Sequence, residues 1–306
     1  MKPIVKISLG VAVLLMLVTQ VSFASIQGSF DRTYQVSGPV DLEVLTRSGD
    51  ITVNRGPAGS VVIRGKIHVG DRWFAGNRQA DVIEIEKNPP IRQTGNSIRI
   101  DYLNSHDISV DYEITAPPDT QVKTHSGSGD QNMEGLHGNL DVESGSGDIR
   151  LREISGEVRL HTGSGDVDAH DVSGPFTAEA GSGDIRAEEN GSGNIRVRTG
   201  SGEIELRSVN GSLLAESGSG DVTIDGTMKS SWEVRTSSGD VELQIPQQAA
   251  FDLDASTGSG SVIVDRPVTM TIQGDLREAH RQVRGKVSGG GPALIVHTGS
   301  GDVRIR

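Results

Sequence analysis

The 306-residue chain contains no cysteine. This excludes disulfides, cysteine-ligated metal clusters and a lipidated cysteine of the bacterial lipoprotein kind. Stability must then come from backbone pairing and burial, and burial has little to draw on. Apolar residues make up 34% and aromatics 3%, against about 45–50% apolar in ordinary globular domains with glycine counted. With 40 glycines, the composition suits many short strands and tight turns around a thin core, not a large globular interior. Basic residues are scarce too: 29 Lys and Arg face 41 Asp and Glu, a net charge of −12. That balance argues against nucleic acid or anionic lipid as a partner.

One apolar run stands out, residues 7–18. Lys2 and Lys6 precede it, and Ser22-Phe23-Ala24 follow it with small residues suited to cleavage. Residues 1–24 therefore read as a secretory signal peptide. The run is too short to cross a bilayer, which takes about 20 apolar residues. Removing the signal removes two lysines and no acid, leaving 27 bases against 41 acids and a net charge of −14. The expectation is an exported chain, periplasmic, cell-surface or secreted, with no membrane span after signal removal.

What the chain has in abundance is one phrase. Ser144-Gly145-Ser146-Gly147-Asp148-Ile149-Arg150-Leu151 returns as Thr162-Gly163-Ser164-Gly165-Asp166-Val167, as Ala180-Gly181-Ser182-Gly183-Asp184-Ile185, and on to Thr298-Gly299-Ser300-Gly301-Asp302-Val303. From Asp130 to Asp240 the acidic residue recurs at steps of 18, 18, 18, 19, 18 and 19. A fixed period of turn chemistry followed by alternating apolar residues is the signature of a stacked solenoid. Each period holds two strands, because Glu157-Val158-Arg159-Leu160-His161 alternates again after a turn at Ile154-Ser155-Gly156. The opposite strand and its turns supply the crossover that parallel pairing requires.

The fold class is thus all-β: a right-handed parallel β-helix (β-solenoid) of about 18-residue, two-strand coils. Roughly nine coils at about 4.8 Å each make a rod about 45 Å long. The inward stack comprises Ile149, Leu151, Val158, Leu160, Val167, Phe176, Ile185, Ile195, Val197, Ile204, Leu206, Leu213, Val222, Ile224, Trp232, Val234, Val241 and Leu243. Residues 25–120 read as an irregular N-terminal cap. In it, residues 40–46, 60–69, 97–102 and 108–115 form strands, and residues 71–86 form a helix burying Trp73, Phe74, Val82, Ile83 and Ile85. Residues 121–306 form the repeats, interrupted by an excursion at 265–291 carrying Arg277, His280, Arg281, Arg284 and Lys286. Residues 293–306 return as a full last coil.

Turn positions Gly129, Gly147, Gly165, Gly183, Gly202, Gly220, Gly239 and Gly301 are structural, since a side chain there would meet the neighbouring coil. Stacking also aligns two charged columns. One, His125, Glu143, His161, Glu179, Arg198, Glu216 and Arg235, alternates in sign from Glu143 onward and should form a surface ladder. The other is acidic throughout: Asp130, Asp148, Asp166, Asp184, Glu203, Asp221 and Asp240, then Asp302 after a gap at Ser261. Like charges about 5 Å apart repel by about 1 kcal/mol even in water. Bonding of each carboxylate to N–H groups of its turn offsets this; a bound cation such as calcium is the alternative, although the calcium-binding nonapeptide roll has a shorter period and a different Asp placement.

No HExxH, GxSxG, P-loop or Cys/His metal cluster occurs, and no Gly-x-Gly string opens a helix. Catalytic residues, metal ligands and cofactors are accordingly none. The reading is a non-catalytic module with an unknown protein or polysaccharide partner at the cell envelope. The alternatives are a carbohydrate-active β-helix enzyme and a cation-stabilised structural rod.

The tandem SGSGDIR units, the closing residues 283–292 and 297–305, and the opening Phe30-Asp31-Arg32-Thr33 with Val36-Ser37-Gly38-Pro39-Val40 resemble a bacterial family of β-strand-repeat proteins called "putative adhesins", a domain of unknown function. The segments Asn88-Pro89-Pro90-Ile91 and Gln93-Thr94-Gly95-Asn96 resemble it as well. The resemblance implies a β-solenoid at an exported or surface location and supplies no catalytic residues. Asn194, Glu203, Ser261 and the degenerate copy at 126–133 depart from the pattern.

Overall fold

The computed structural model describes residues 26–70, 78–104, 107–269 and 281–306. The chain is all-β, apart from one helix at Gln79–Lys87. Two long sheets of 13 and 14 strands lie face to face, and within the parallel stack the chain passes from one to the other at every corner. Leaving out the antiparallel strands at the ends, two from one sheet and three from the other, eleven parallel strands remain in each.

Alternation explains the stacking. In one sheet Leu140 pairs with Val158, Val158 with Phe176, Phe176 with Ile195, Ile195 with Leu213, and Leu213 with Trp232. In the other, Ile149, Val167, Ile185, Ile204, Val222 and Val241 follow one another in the same way. All eighteen inward residues assigned from the sequence are buried. Each of the larger ones contributes about 1.5–3 kcal/mol on leaving water. Trp232 is fully buried and its indole N–H donates to Gly211 O at 3.0 Å, so the largest side chain leaves no unpaired donor.

Ile154 is core, not turn: it is 1% exposed. The preceding Glu153 adopts a left-handed φ of 53°, as do Asp171 (54°) and Ser208 (58°) on other rungs. This one-residue bulge returns the next side chain, Ile154, Val172 or Val209, to the interior.

The two ends depart from simple sequence order in the same manner. The strands Ala293–Ser300 and Val303–Ile305 do not end the stack. They lie between the rung of Trp232–Ser238 and Val241–Gln244 and the rung of Phe251–Ser259 and Val262–Val264. At the other end Asp41–Ser48 and Ile51–Arg55 sit one rung in, with Ser97–Ile100 and Ile108–Ala116 outside them. The outermost rungs are then covered by antiparallel strands: Ser60–Val69 and Ile26–Gln35 at one end, Gln282–Val287 and Val268–Thr269 at the other. Capping in this way hides edges that would otherwise pair with other chains.

The helix is shorter than the pattern over 71–86 suggests, and residues 71–77, with Trp73 and Phe74, lie outside the described residues. Val82 and Ile85 are buried, but Ile83 is 39% exposed, because residues three apart share a helix face and the intervening one does not. Arg277 and His280 also lie outside the described residues, as does the signal segment 1–24.

Candidate functional site

The recurring corner is the most heavily engineered surface of the molecule. Its glycines, acids and hydroxyls each do a separate job, and each job is done toward the neighbouring rung. The second glycine of the phrase is glycine on ten rungs: Gly49, Gly129, Gly147, Gly165, Gly183, Gly202, Gly220, Gly239, Gly301 and Gly260. A Cβ on any of them would sit 2.0–2.4 Å from the carbonyl oxygen below. Several, Gly220 among them (φ 145°), also hold a left-handed backbone. Those carbonyls accept hydroxyls from the buried residue three places earlier on the next rung. Thr199 donates to Gly183 O (2.9 Å), Thr236 to Gly220 O (3.2 Å) and Thr298 to Gly239 O (2.9 Å).

The acidic column forms a hydrogen-bonded ladder, but not within each turn. One carboxylate oxygen of each Asp accepts the backbone N–H of the acidic residue on the next rung: Asp130 from Asp148 (3.1 Å), Asp148 from Asp166 (3.0 Å), Asp166 from Asp184 (2.9 Å) and Asp184 from Glu203 (2.9 Å). The ladder extends at the start through Asp111 and Asp50; Asp50 belongs to a degenerate first copy of the repeat at residues 47–53, whereas Asp111 has no such phrase around it. It continues at the far end from Asp221 to Asp240, Asp302 and Ser261. Among the described residues it is interrupted once, at Glu203 to Asp221, where the longer side chain replaces aspartate.

The second oxygen finds arginine. Arg150 spans Asp130 (2.7 Å) and Asp148 (2.6 Å), and Arg186 takes Asp184 (2.7 Å). The Arg of SGSGDIR thus offsets the repulsion of the column it follows. At Asp302 the Ser261 N–H, then the Ser261 hydroxyl, hold the carboxyl below the usual carboxylate range. No group of three or more His, Cys, Asp or Glu side chains suited to a metal ion occurs among the described residues. Replacing Asp166 by alanine should cost about 1 kcal/mol, the net worth of one such bond. Asp166→Asn should retain most of it, because the amide oxygen can still accept. Urea midpoints of the two variants test this; equal losses would mean that charge, not the bond to Asp184, matters.

The mixed column stacks in register from His125 through Glu143, His161, Glu179, Arg198 and Glu216 to Arg235. His125 meets Glu143 at 3.0 Å, and His161 meets Glu179 at 3.8 Å. Arg198 and Arg235 reach Glu216 only at 4.0 Å, and Arg235 bonds more closely to Glu233 on its own strand. These exposed pairs are each worth under about 1 kcal/mol.

Two features have no counterpart in the sequence reading. Glu189 is 3% exposed, inside the apolar stack in register with Val172, and neither of its carboxylate oxygens has a partner. Burial pushes its carboxyl up to about 7. The other is a cavity of about 700 Å³ at the corner opposite the glycine ladder, beside Ser208, Asn210, Asp225 and Lys229.

Two long parallel sheets joined rung by rung through stacked corners define a β-solenoid. The family model "Toastrack DUF4097" matches residues 35–172 and 155–306, and the chain belongs to that family. No curated protein matches it. Among solved structures, a "putative cell adhesion protein" from Clostridium sporogenes is similar at 12% identity and a TM-score of 0.31, covering 90% of this chain and 98% of that one. A "putative adhesin" from Bacteroides fragilis is similar at 14% identity and a TM-score of 0.38, covering 92% of this chain and 98% of its own. No described helix is long and apolar enough to cross a membrane.

Proposed function

We propose that the protein is a non-catalytic, exported solenoid that presents its faces to a protein or polysaccharide at the cell envelope, as an adhesin or scaffold. Right-handed winding of coils of about 18 residues, the hand that β-crossovers almost always take, belongs to this reading. The observation that carries it is how the carboxylates are used. In the acidic column they are turned along the stack, one oxygen on the next rung's N–H and, at Asp130, Asp148 and Asp184, the other on arginine. A glycoside hydrolase needs two carboxyls facing each other across a cleft, about 5–9.5 Å apart. Here the acids stiffen the rod and leave regular rows of charged side chains on both outer faces.

The purified chain, immobilised and washed with envelope extract, should retain a defined partner that free protein competes away. Incubation with a panel of polysaccharides should release no reducing ends. Release of reducing ends or unsaturated sugars would replace this reading with the enzyme.

A further inference from the structure

The corner opposite the glycine ladder varies in length along the stack. Gly156-Glu157 and Gly174-Pro175 each turn the chain in two residues between strands. Near the C-terminal end two successive corners are long: residues 227–231 join Val222–Gly226 to Trp232–Ser238, and residues 245–250 join Val241–Gln244 to Phe251–Ser259. Between these longer corners lies the cavity of about 700 Å³, within the range of about 300–1,000 Å³ that holds small ligands.

Its lining is chemically mixed in a particular way. Asn210, Gln244 and Gln247 offer amides, and Ser208 and Thr227 offer hydroxyls. Among the described residues one acid, Asp225, and one base, Lys229, line it without an ion-pair partner; the Arg306 guanidinium is held by Glu242 at 2.8 Å. No excess of either sign selects a charged ligand. Ile245 and Pro246 add an apolar wall, and that wall is fixed: Arg266 donates to Ile245 O (2.7 Å) and Pro246 O (3.1 Å). The side-chain oxygen of Asn210 is buried and accepts no hydrogen bond. A buried acceptor left unpaired costs about 1–3 kcal/mol, which rotation of the amide toward a ligand hydroxyl would recover.

Neutral amides, hydroxyls, a lone carboxylate and a short apolar wall are what the hydroxyl edges and C–H faces of a sugar require. We infer that this cavity is a binding subsite for a neutral saccharide chain, with the Asn210 amide turning to accept a sugar hydroxyl on Oδ1. The inference rests on the binding-module reading above and narrows its partner to a glycan.

Saturation-transfer NMR on the purified chain with maltotetraose, cellotetraose, chitotetraose and mannotetraose tests it. At least one should receive saturation. Thr227→Trp, which fills the mouth from an exposed loop position, and Asn210→Leu, which removes the acceptor, should each weaken binding at least tenfold without lowering the circular-dichroism melt. Should Asn210→Leu not fold, Thr227→Trp alone decides. Binding that survives both variants overturns the cavity assignment and leaves the module reading intact. Transfer to none of the four overturns the saccharide inference, and cleavage of any of them overturns the module reading itself.

Discussion

Gly220→Ala is expected to lower stability by about 3 kcal/mol or more, the range in which backbone strain and a forced steric shift combine. Two independent causes act at this position. The backbone holds φ at 145°, which an L side chain rarely adopts. The added Cβ would sit 2.0 Å from Gly202 O and 2.6 Å from its carbon. That carbonyl also accepts the Ser217 hydroxyl at 3.2 Å, so pushing it aside breaks a partly buried bond. Relief requires the rungs of Gly202 and Gly220 to separate, which opens both ladders at once. Ser237→Ala is the control. It lies one rung further along, at the first glycine position of the phrase, where this chain already carries a Cβ. Its effect should stay within about 0.5 kcal/mol. Urea unfolding followed by far-ultraviolet circular dichroism compares the two. A Gly220→Ala midpoint close to the control would show that the corners are not in contact.

The exceptions to the repeat are where sequence and structure inform each other most. Period and alternation made the solenoid legible, because each inward residue has an apolar neighbour one period away. The order of the rungs was not legible, since the pairing preference of 293–306 for Trp232–Ser238 is no different in pattern from that of 251–264. Yet the end rungs are marked. The glycine Cβ and the carboxylate point along the stack in opposite directions. The first rung therefore tolerates Val110 where every later one needs glycine, and its Asp111 still serves Asp50. The last rung keeps Gly260 but carries Ser261, with no further rung among the described residues for a carboxylate to serve. The gap at Ser261, read along the sequence, looks like decay of the motif; read along the stack, it is the terminus. Asn194 is explained likewise. Its Ser-Gly-Asn imitates the phrase but lies at the opposite corner, where its carbonyl accepts from Phe176 N–H at 2.9 Å and its side chain accepts the Ser212 hydroxyl at 2.7 Å. The degenerate copy keeps register through Gln131, which is fully buried between Ile51 and Ile149 and donates to Glu143 O at 2.7 Å. The cavity was not legible because it depends on corner loops whose lengths carry no periodic signal.

Glu189→Val is expected to stabilise the protein above neutral pH and to have a smaller benefit in acid. Val172 occupies the paired inward place on the preceding rung, so valine fits the stack in size and shape. The wild-type carboxyl is pushed up to about 7 by burial, from an ordinary 4.5. An acid with a raised folded-state value binds its proton more tightly when folded. Its penalty is therefore absent below about pH 4.5, grows as pH rises to about 7, and is complete above that, reaching at most about 3 kcal/mol. Paired melts of wild type and variant at pH 5 and pH 8 should show the larger upward shift at pH 8. The mechanism lies in the missing bulge. Where Glu153, Asp171 and Ser208 each insert a residue before the corner, the strand Ile185–Glu189 runs straight, and simple alternation carries Glu189 inward. Inserting one valine between Glu189 and Asn190 should restore the bulge, place both glutamates outside, and remove the pH dependence without removing the acid. A variant that melts higher by the same amount at both pH values would show that Glu189 destabilises through shape and not through charge.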